Sequence, residues 1–244
     1  MRRIALSAAL VLAAGPAAAQ TVDDVVSRYL EARGGLDRLR AVRSLRMTGR
    51  LLLPDLEAPL VLELKRPHKM RTVFTIEGHE SVRAFDGRTA WVLPPVPGAV
   101  PQAMPPDQAA EAREQADVDL SPLVDSEAKG FTLELAGRES LPGGETWKIV
   151  VRGGPGSPRT FFLDVSTHHV VRTEDRRELD GQEVEFVSEV GDYRTVDGLV
   201  YPHRIRSGPK GRPEEWQQIE IDTIEVNPAL DDARFTMPEG APPP

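Results

Sequence analysis

The order of apolar and polar residues changes period along this chain. Val22, Val25, Val26, Tyr29 and Leu30 recur at helical spacing and form one apolar stripe. Thr21 followed by Asp24 is the pattern of an N-cap with an acidic first turn. Gly34 and Gly35 stop that helix, and Leu36 to Val42 reads as a second short helical segment. From Ser44 the period becomes two. Leu45, Met47, Gly49, Leu51 and Leu53 alternate with Ser44, Arg46, Thr48 and Arg50. Leu60, Leu62 and Leu64 alternate with Glu63 and Lys65, and Met70, Phe74 and Ile76 follow around Arg71. This is the pattern of antiparallel strands with one apolar and one polar face.

Asp-Gly pairs at Asp86-Gly87, Asp180-Gly181 and Asp197-Gly198 punctuate the strands as hairpin turns. Further strands are expected around Phe131–Leu135, Trp147–Val151, Phe161–Leu163, Val170–Thr173, Val184–Val190 and Leu199–Ile205. In the last strand Ile219 and Ile221 give way to Ile224 and Val226, a phase shift that predicts a β-bulge. One stretch breaks the series. Pro94, Pro95, Pro97, Pro101, Pro105 and Pro106 exclude a central strand. Asp107 is expected to cap a helix through Ala109, Ala110, Ala112 and Ala116, so that residues 94–128 form a helical insert behind a Pro-rich loop. The expectation is a mainly β chain: a large curved antiparallel sheet of about ten to eleven strands. An N-terminal helix and the insert would cover its concave face.

Composition then narrows the function. The 244 residues contain no cysteine, which excludes disulfides, thiolate metal sites and lipid attachment through an N-terminal Cys. A net charge of −8 argues against nucleic-acid binding. Met1-Arg2-Arg3, the apolar run Ile4 to Ala14 and the small residues Ala17 to Ala19 form the three-part pattern of a cleavable signal peptide. Removing residues 1–19 takes the net charge from −8 to −10 and leaves an exported chain, expected in the periplasm, without a stable membrane anchor. Residues 20–237 would form one domain, followed by a disordered tail at 238–244.

Catalytic patterns are missing. No Gly-x-Ser-x-Gly, Ser-x-x-Lys or His-Glu-x-x-His motif occurs, and Gly153–Pro158 lacks the ending of a phosphate loop. Adjacent His168 and His169 read as solvated turn residues rather than ligands, so neither a metal nor any other cofactor is expected. Arg33, Arg38, Arg40, Arg43, Arg46 and Arg50 read as a solvated basic rim. What remains is apolar surface. Leu45, Met47, Leu51, Leu62, Leu64, Met70, Phe74, Ile76, Phe131, Leu133, Trp147 and Phe161 are expected to point inward, either filling a core or lining a ligand cavity.

The segment Tyr29 to Arg50 resembles the opening of exported proteins of the LolA-like group, the outer-membrane lipoprotein-sorting proteins. Phe162-Leu163-Asp164 with Val170-Val171-Arg172, Asp192 to Pro202, and Val226-Asn227-Pro228 ending in Phe235 are similar too. The resemblance implies an incomplete barrel plugged by helices, whose cavity holds acyl chains. It implies lipid or lipoprotein partners, with inner- or outer-membrane transfer proteins at either end. None of the matched motifs carries an individual lipid-handling residue. Lacking Cys, the chain departs from relatives that are themselves lipoproteins. Three functions stand: a non-enzymatic carrier for lipid or lipidated protein, an envelope-stress sensor binding a protein partner, and a lipid-acting enzyme. A packed interior beneath Met47, Phe74 and Trp147 would count against the carrier.

Overall fold

The computed structural model describes residues 20–153, 158–179 and 182–238. The expected signal peptide, the Asp180-Gly181 turn, most of the Gly153–Pro158 loop and all but Pro238 of the expected tail lie outside them. Helix α1 (Val22–Ala32) begins at the predicted cap: Asp24 N donates to Thr21 Oγ1 at 3.2 Å and Thr21 N to Asp24 Oδ2 at 3.0 Å. Its C-cap is Arg33, and Gly34 follows at φ +109°, packed so closely on Gly198 that a Cβ would strike that residue's carbonyl. Helix α2 spans Leu36–Ala41.

Two meanders follow. The first holds β1 (Ser44–Leu53), β2 (Leu56–Lys65), β3 (Lys69–Ile76), β4 (His79–Phe85), β5 (Ala90–Leu93) and β6 (Gln102–Ala103). Helix α3 (Pro106–Gln115) intervenes. The second meander holds β7 (Thr132–Leu141), β8 (Gly144–Arg152), β9 (Arg159–Asp164), β10 (Val170–Leu179), β11 (Gln182–Val196), β12 (Leu199–Pro209) and β13 (Gln217–Val226). They form one 13-stranded sheet in the order β6-β5-β4-β3-β2-β1-β13-β12-β11-β10-β9-β8-β7, antiparallel throughout. The class agrees with the sequence, with one correction: the strands outnumber the expected ten or eleven, β6 lying inside the Pro-rich loop expected to be strand-free. The sheet is open, as expected of an incomplete barrel, with β6 and β7 as its edges.

The first and last strands join the meanders, and the predicted bulge sits at that seam. Thr48 pairs with Thr223 but Gly49 with Ile221, so Asp222 is the extra residue. Gly49 is required there, since a Cβ would collide with the Glu220 carbonyl. Helix α3 starts two residues earlier than expected, with Pro105 at the cap and Pro106 at N1, where its missing N–H costs nothing. Asp107 falls in the first turn instead of capping it.

This topology fixes where the insert must go. Strands β6 and β7 are opposite edges of the sheet, so the segment joining them has to cross from one edge to the other. It does so over the concave face. Helix α3 contacts β3, β4 and β5, and its Ala112, together with Ala116, Val118, Leu123 and Val124 beyond it, belongs to the main apolar core.

Candidate functional site

Cross-strand register places the predicted inward residues on one face. Leu45 pairs with Leu64, which pairs with Met70; Met47 pairs with Leu62; Leu60 pairs with Phe74. Across the sheet, Trp147 pairs with Leu163 and Ile149 with Phe161. Leu45, Met47, Leu64, Met70, Trp147 and Phe161 are buried in one core, and Leu62, Phe74, Phe131 and Leu133 pack against it half-buried. Leu51 is buried and Ile76 half-buried, but both lie outside that cluster, toward the strand ends. From the helices, Val25, Tyr29 and Leu39 fill the same core.

The cover over this face is uneven. Helix α3 gives the core Ala109 and Ala112, side chains of one methyl each. It is held at both flanks by charge. Arg83 of β4 reaches Glu111 at 3.3 Å, and Arg159 of β9 reaches Glu114 at 2.5 Å. These strands belong to different meanders, so α3 bridges the open sheet. Burial raises the Glu114 carboxyl above its ordinary range, although Arg159 acts the other way.

Helix α1 is seated differently. Val200 N donates to the Arg33 carbonyl at 3.0 Å. The Arg33 side chain belongs to no solvated rim: only 4 % of the residue is exposed. One Nη donates to the Tyr29 hydroxyl at 2.8 Å, and the guanidinium sits 5.8 Å from the Tyr29 ring and 5.5 Å from the Tyr201 ring. Tyr193 completes the group, its hydroxyl donating to the Val170 carbonyl at 2.6 Å. His169, expected to be solvated, stacks on Tyr193 at 4.3 Å. Burial pushes the Tyr201 phenol up to about 12 and raises Tyr193 as well. Burial lowers the His169 imidazole, and nearby Arg33 lowers it further. The phenols are therefore neutral at physiological pH, and Arg33 carries the charge.

Three other members of the Arg run are ion-paired. Arg40 meets Asp125 at 2.5 Å, Arg46 meets Glu63 at 3.1 Å and Arg50 meets Glu220 at 2.7 Å. No cluster of three or more metal-ligating side chains occurs among the described residues, and no described helix is long and apolar enough to cross a membrane.

Two depressions lie on the outer face. One, of about 640 Å³, runs from the Leu141–Gly144 turn over Arg172, Glu189, Arg204 and Arg206. The other, of about 460 Å³, is lined by Leu52, Pro54, Pro213 and Trp216 and shares Arg206 and Gln218 with the first. Neither lies beneath Met47, Phe74 and Trp147.

Solved structures share this architecture over nearly their whole length. A LolA superfamily protein from Nitrosomonas europaea aligns with a TM-score of 0.59 at 15% identity, covering 89% of this chain and 98% of its own. A putative outer membrane lipoprotein-sorting protein domain from Vibrio parahaemolyticus aligns at 0.58 and 9% identity, covering 87% and 94%. The chain has the LolA-like fold. A DUF1329 family protein from Desulfovibrio piger also aligns with this chain, with a TM-score of 0.60 at 11% identity over 89% of this chain and 98% of its own. No family model and no curated protein matches the sequence. At these identities the likeness is one of backbone.

Sequence reading missed two features of this face: the Arg33–tyrosine group and the ion pairs by which α3 bridges the two meanders. A signal for the first was present. Arg33 stands four residues after Tyr29, so it falls on the apolar stripe of α1.

Proposed function

We propose that the inner face takes up the acyl chains of a lipid or lipidated polypeptide, and that this protein is a soluble, non-enzymatic periplasmic carrier. One observation carries the reading: a broad apolar face spans both meanders and is bridged by a helix that contributes little more than alanine methyls. Each buried methylene of a cargo gains about 0.8 kcal/mol, so a chain of about sixteen carbons offers on the order of 10 kcal/mol. Displacing alanine side chains costs about 1 kcal/mol each on the same scale. Cargo can therefore replace α3 over Met70, Phe74 and Phe85. The packed interior beneath Met47, Phe74 and Trp147 counts against a carrier with a preformed cavity, so on this reading uptake requires the helical cover to move.

A second reading, an envelope sensor binding a partner protein, is favoured by the outer groove, whose Arg172, Arg204, Arg206, Glu189 and Glu220 offer mixed charge. The two part in one experiment. The protein is purified from a periplasmic extract, extracted with organic solvent and analysed by mass spectrometry. Acyl lipid in near-stoichiometric amount supports the carrier. Repeated absence of lipid, with one protein partner co-purifying, supports the sensor instead.

A further inference from the structure

Arg33 is a buried cation without a carboxylate. Among the described residues no Asp or Glu lies within ion-pair reach of it, and its neighbours are phenol rings and an imidazole. Its Nη1 is satisfied by Tyr29. Its Nε and Nη2 are buried and meet no acceptor. Buried polar groups are ordinarily paired, and an orphaned charged donor is costly.

Which atoms are orphaned carries the inference. Nε and Nη2 form one edge of the guanidinium, two parallel N–H groups spaced to grip both oxygens of a planar oxyanion. A hydroxyl or an ester carbonyl offers one strong acceptor oxygen. A carboxylate offers two, and brings the missing negative charge. The surroundings select what the carboxylate is attached to. Arg33 lies among Tyr29, Leu199 and Tyr201, all members of the apolar core that continues to Met47 and Trp147. A head gripped by the free edge therefore leaves its tail among apolar side chains.

We propose that Arg33 is the headgroup anchor of the inner face and that the cargo carries a free carboxylate on a long alkyl chain, a fatty acid. This rests on the carrier reading and gives it a chemical class. The anchor also sets the direction of the cargo, with the head at the C-terminus of α1 and the chain running under the helical cover.

The test compares palmitate with methyl palmitate, whose chain is the same but whose head lacks charge and a second equivalent acceptor. Binding to the full chain is measured at pH 8 by displacement of a fluorescent fatty acid. The wild type is expected to favour the acid by about tenfold or more, as a charge-assisted double hydrogen bond provides. R33Q is expected to bind both within about twofold, and R33K to retain part of the preference, because an ammonium offers charge without the fork. Acetate is expected not to compete at concentrations that saturate palmitate. Equal binding of acid and ester by the wild type would overturn the proposal while leaving the carrier standing, and would mean that a trapped water satisfies the Arg33 edge. That comparison needs no variant, so a poorly folding R33Q does not rescue the idea. Competition by acetate as strong as by palmitate would also overturn it, and binding of neither amphiphile would overturn the carrier reading with it.

Discussion

Strands β3, β4 and β5 are covered on both faces, and the two covers are built on opposite principles. On the inner face lies α3, with alanines toward the sheet and ion pairs at its flanks. On the outer face lies the segment from Pro228 to Met237, held by deep and directional contacts. Glu63, fully buried, accepts from Arg234 Nε at 2.9 Å and from Arg46 Nε at 3.1 Å, and Arg234 Nη2 pairs with it at 2.8 Å. Arg71 stands 3.9 Å away. Trp91 Nε1 donates to the Phe235 carbonyl at 2.8 Å, and Phe235 is fully buried. Lys65 bonds both the Leu230 carbonyl at 2.6 Å and Asp232 at 2.7 Å. Beneath this strap Val73, Val82, Ala84 and Trp91 form a second small core with Met237. The contrast teaches which side moves. A cover held by a buried charge cluster comes off at great cost, whereas one held by methyls and partly exposed ion pairs comes off cheaply.

The comparison breaks most visibly at Glu63. Glu63→Gln leaves Arg46, Arg71 and Arg234 facing a buried neutral amide and is expected to cost about 3–5 kcal/mol of stability in urea unfolding. A loss below about 1 kcal/mol would show that the strap is not locked by charge. Phe235→Ala removes the strap's buried aromatic ring, with an expected cost of about 3 kcal/mol and cleavage of the C-terminal segment under limited proteolysis. On the other face, Arg159→Ala frees one flank of α3. Both partners are partly exposed, so stability should fall by no more than about 1 kcal/mol while uptake of a fluorescent fatty acid speeds up. Unchanged uptake would mean that α3 does not gate the face.

The smallest effect is acidic. Hydrogen bonds from Lys65 and Lys69 hold the Asp232 carboxyl down at about 2, below its ordinary 3.8. The stability it gives is complete above pH 3.8 and lost as the pH falls toward 2. Amide exchange across the strap should rise over that window and the rise should be reduced in Asp232→Asn. A rise confined to α3 would reverse the assignment of the two covers.

Much of this was legible in the sequence, for physical reasons that differ by region. Alternation gave the face of every strand from Leu45 to Ile76, because a period of two leaves no freedom once one face is buried. The shift from Ile221 to Ile224 gave the bulge. What sequence could not give was the second use of the polar face. Glu63 and Arg71 read as solvent-facing, which is correct for an uncovered antiparallel strand. They are covered only because a strap 171 residues further along, at Arg234, folds back over them. The same limit hid the Arg33 site. Tyr29 and Arg33 are local, but Tyr193 and Tyr201 come from β11 and β12, and only the fold brings them together. Arg33 read as part of a solvated rim although its place on the apolar stripe was a signal of burial, and nothing in the spacing marked it as unpaired.

The central claim is that cargo enters beneath α3 while the outer strap stays shut. Amide hydrogen exchange of the full chain, with and without saturating palmitate, tests it most directly. The account predicts altered exchange in Pro106–Gln115 and its flanking loops, with the strap from Pro228 to Met237 unchanged. Altered exchange in the strap with α3 unaffected, or no change in either, would contradict it.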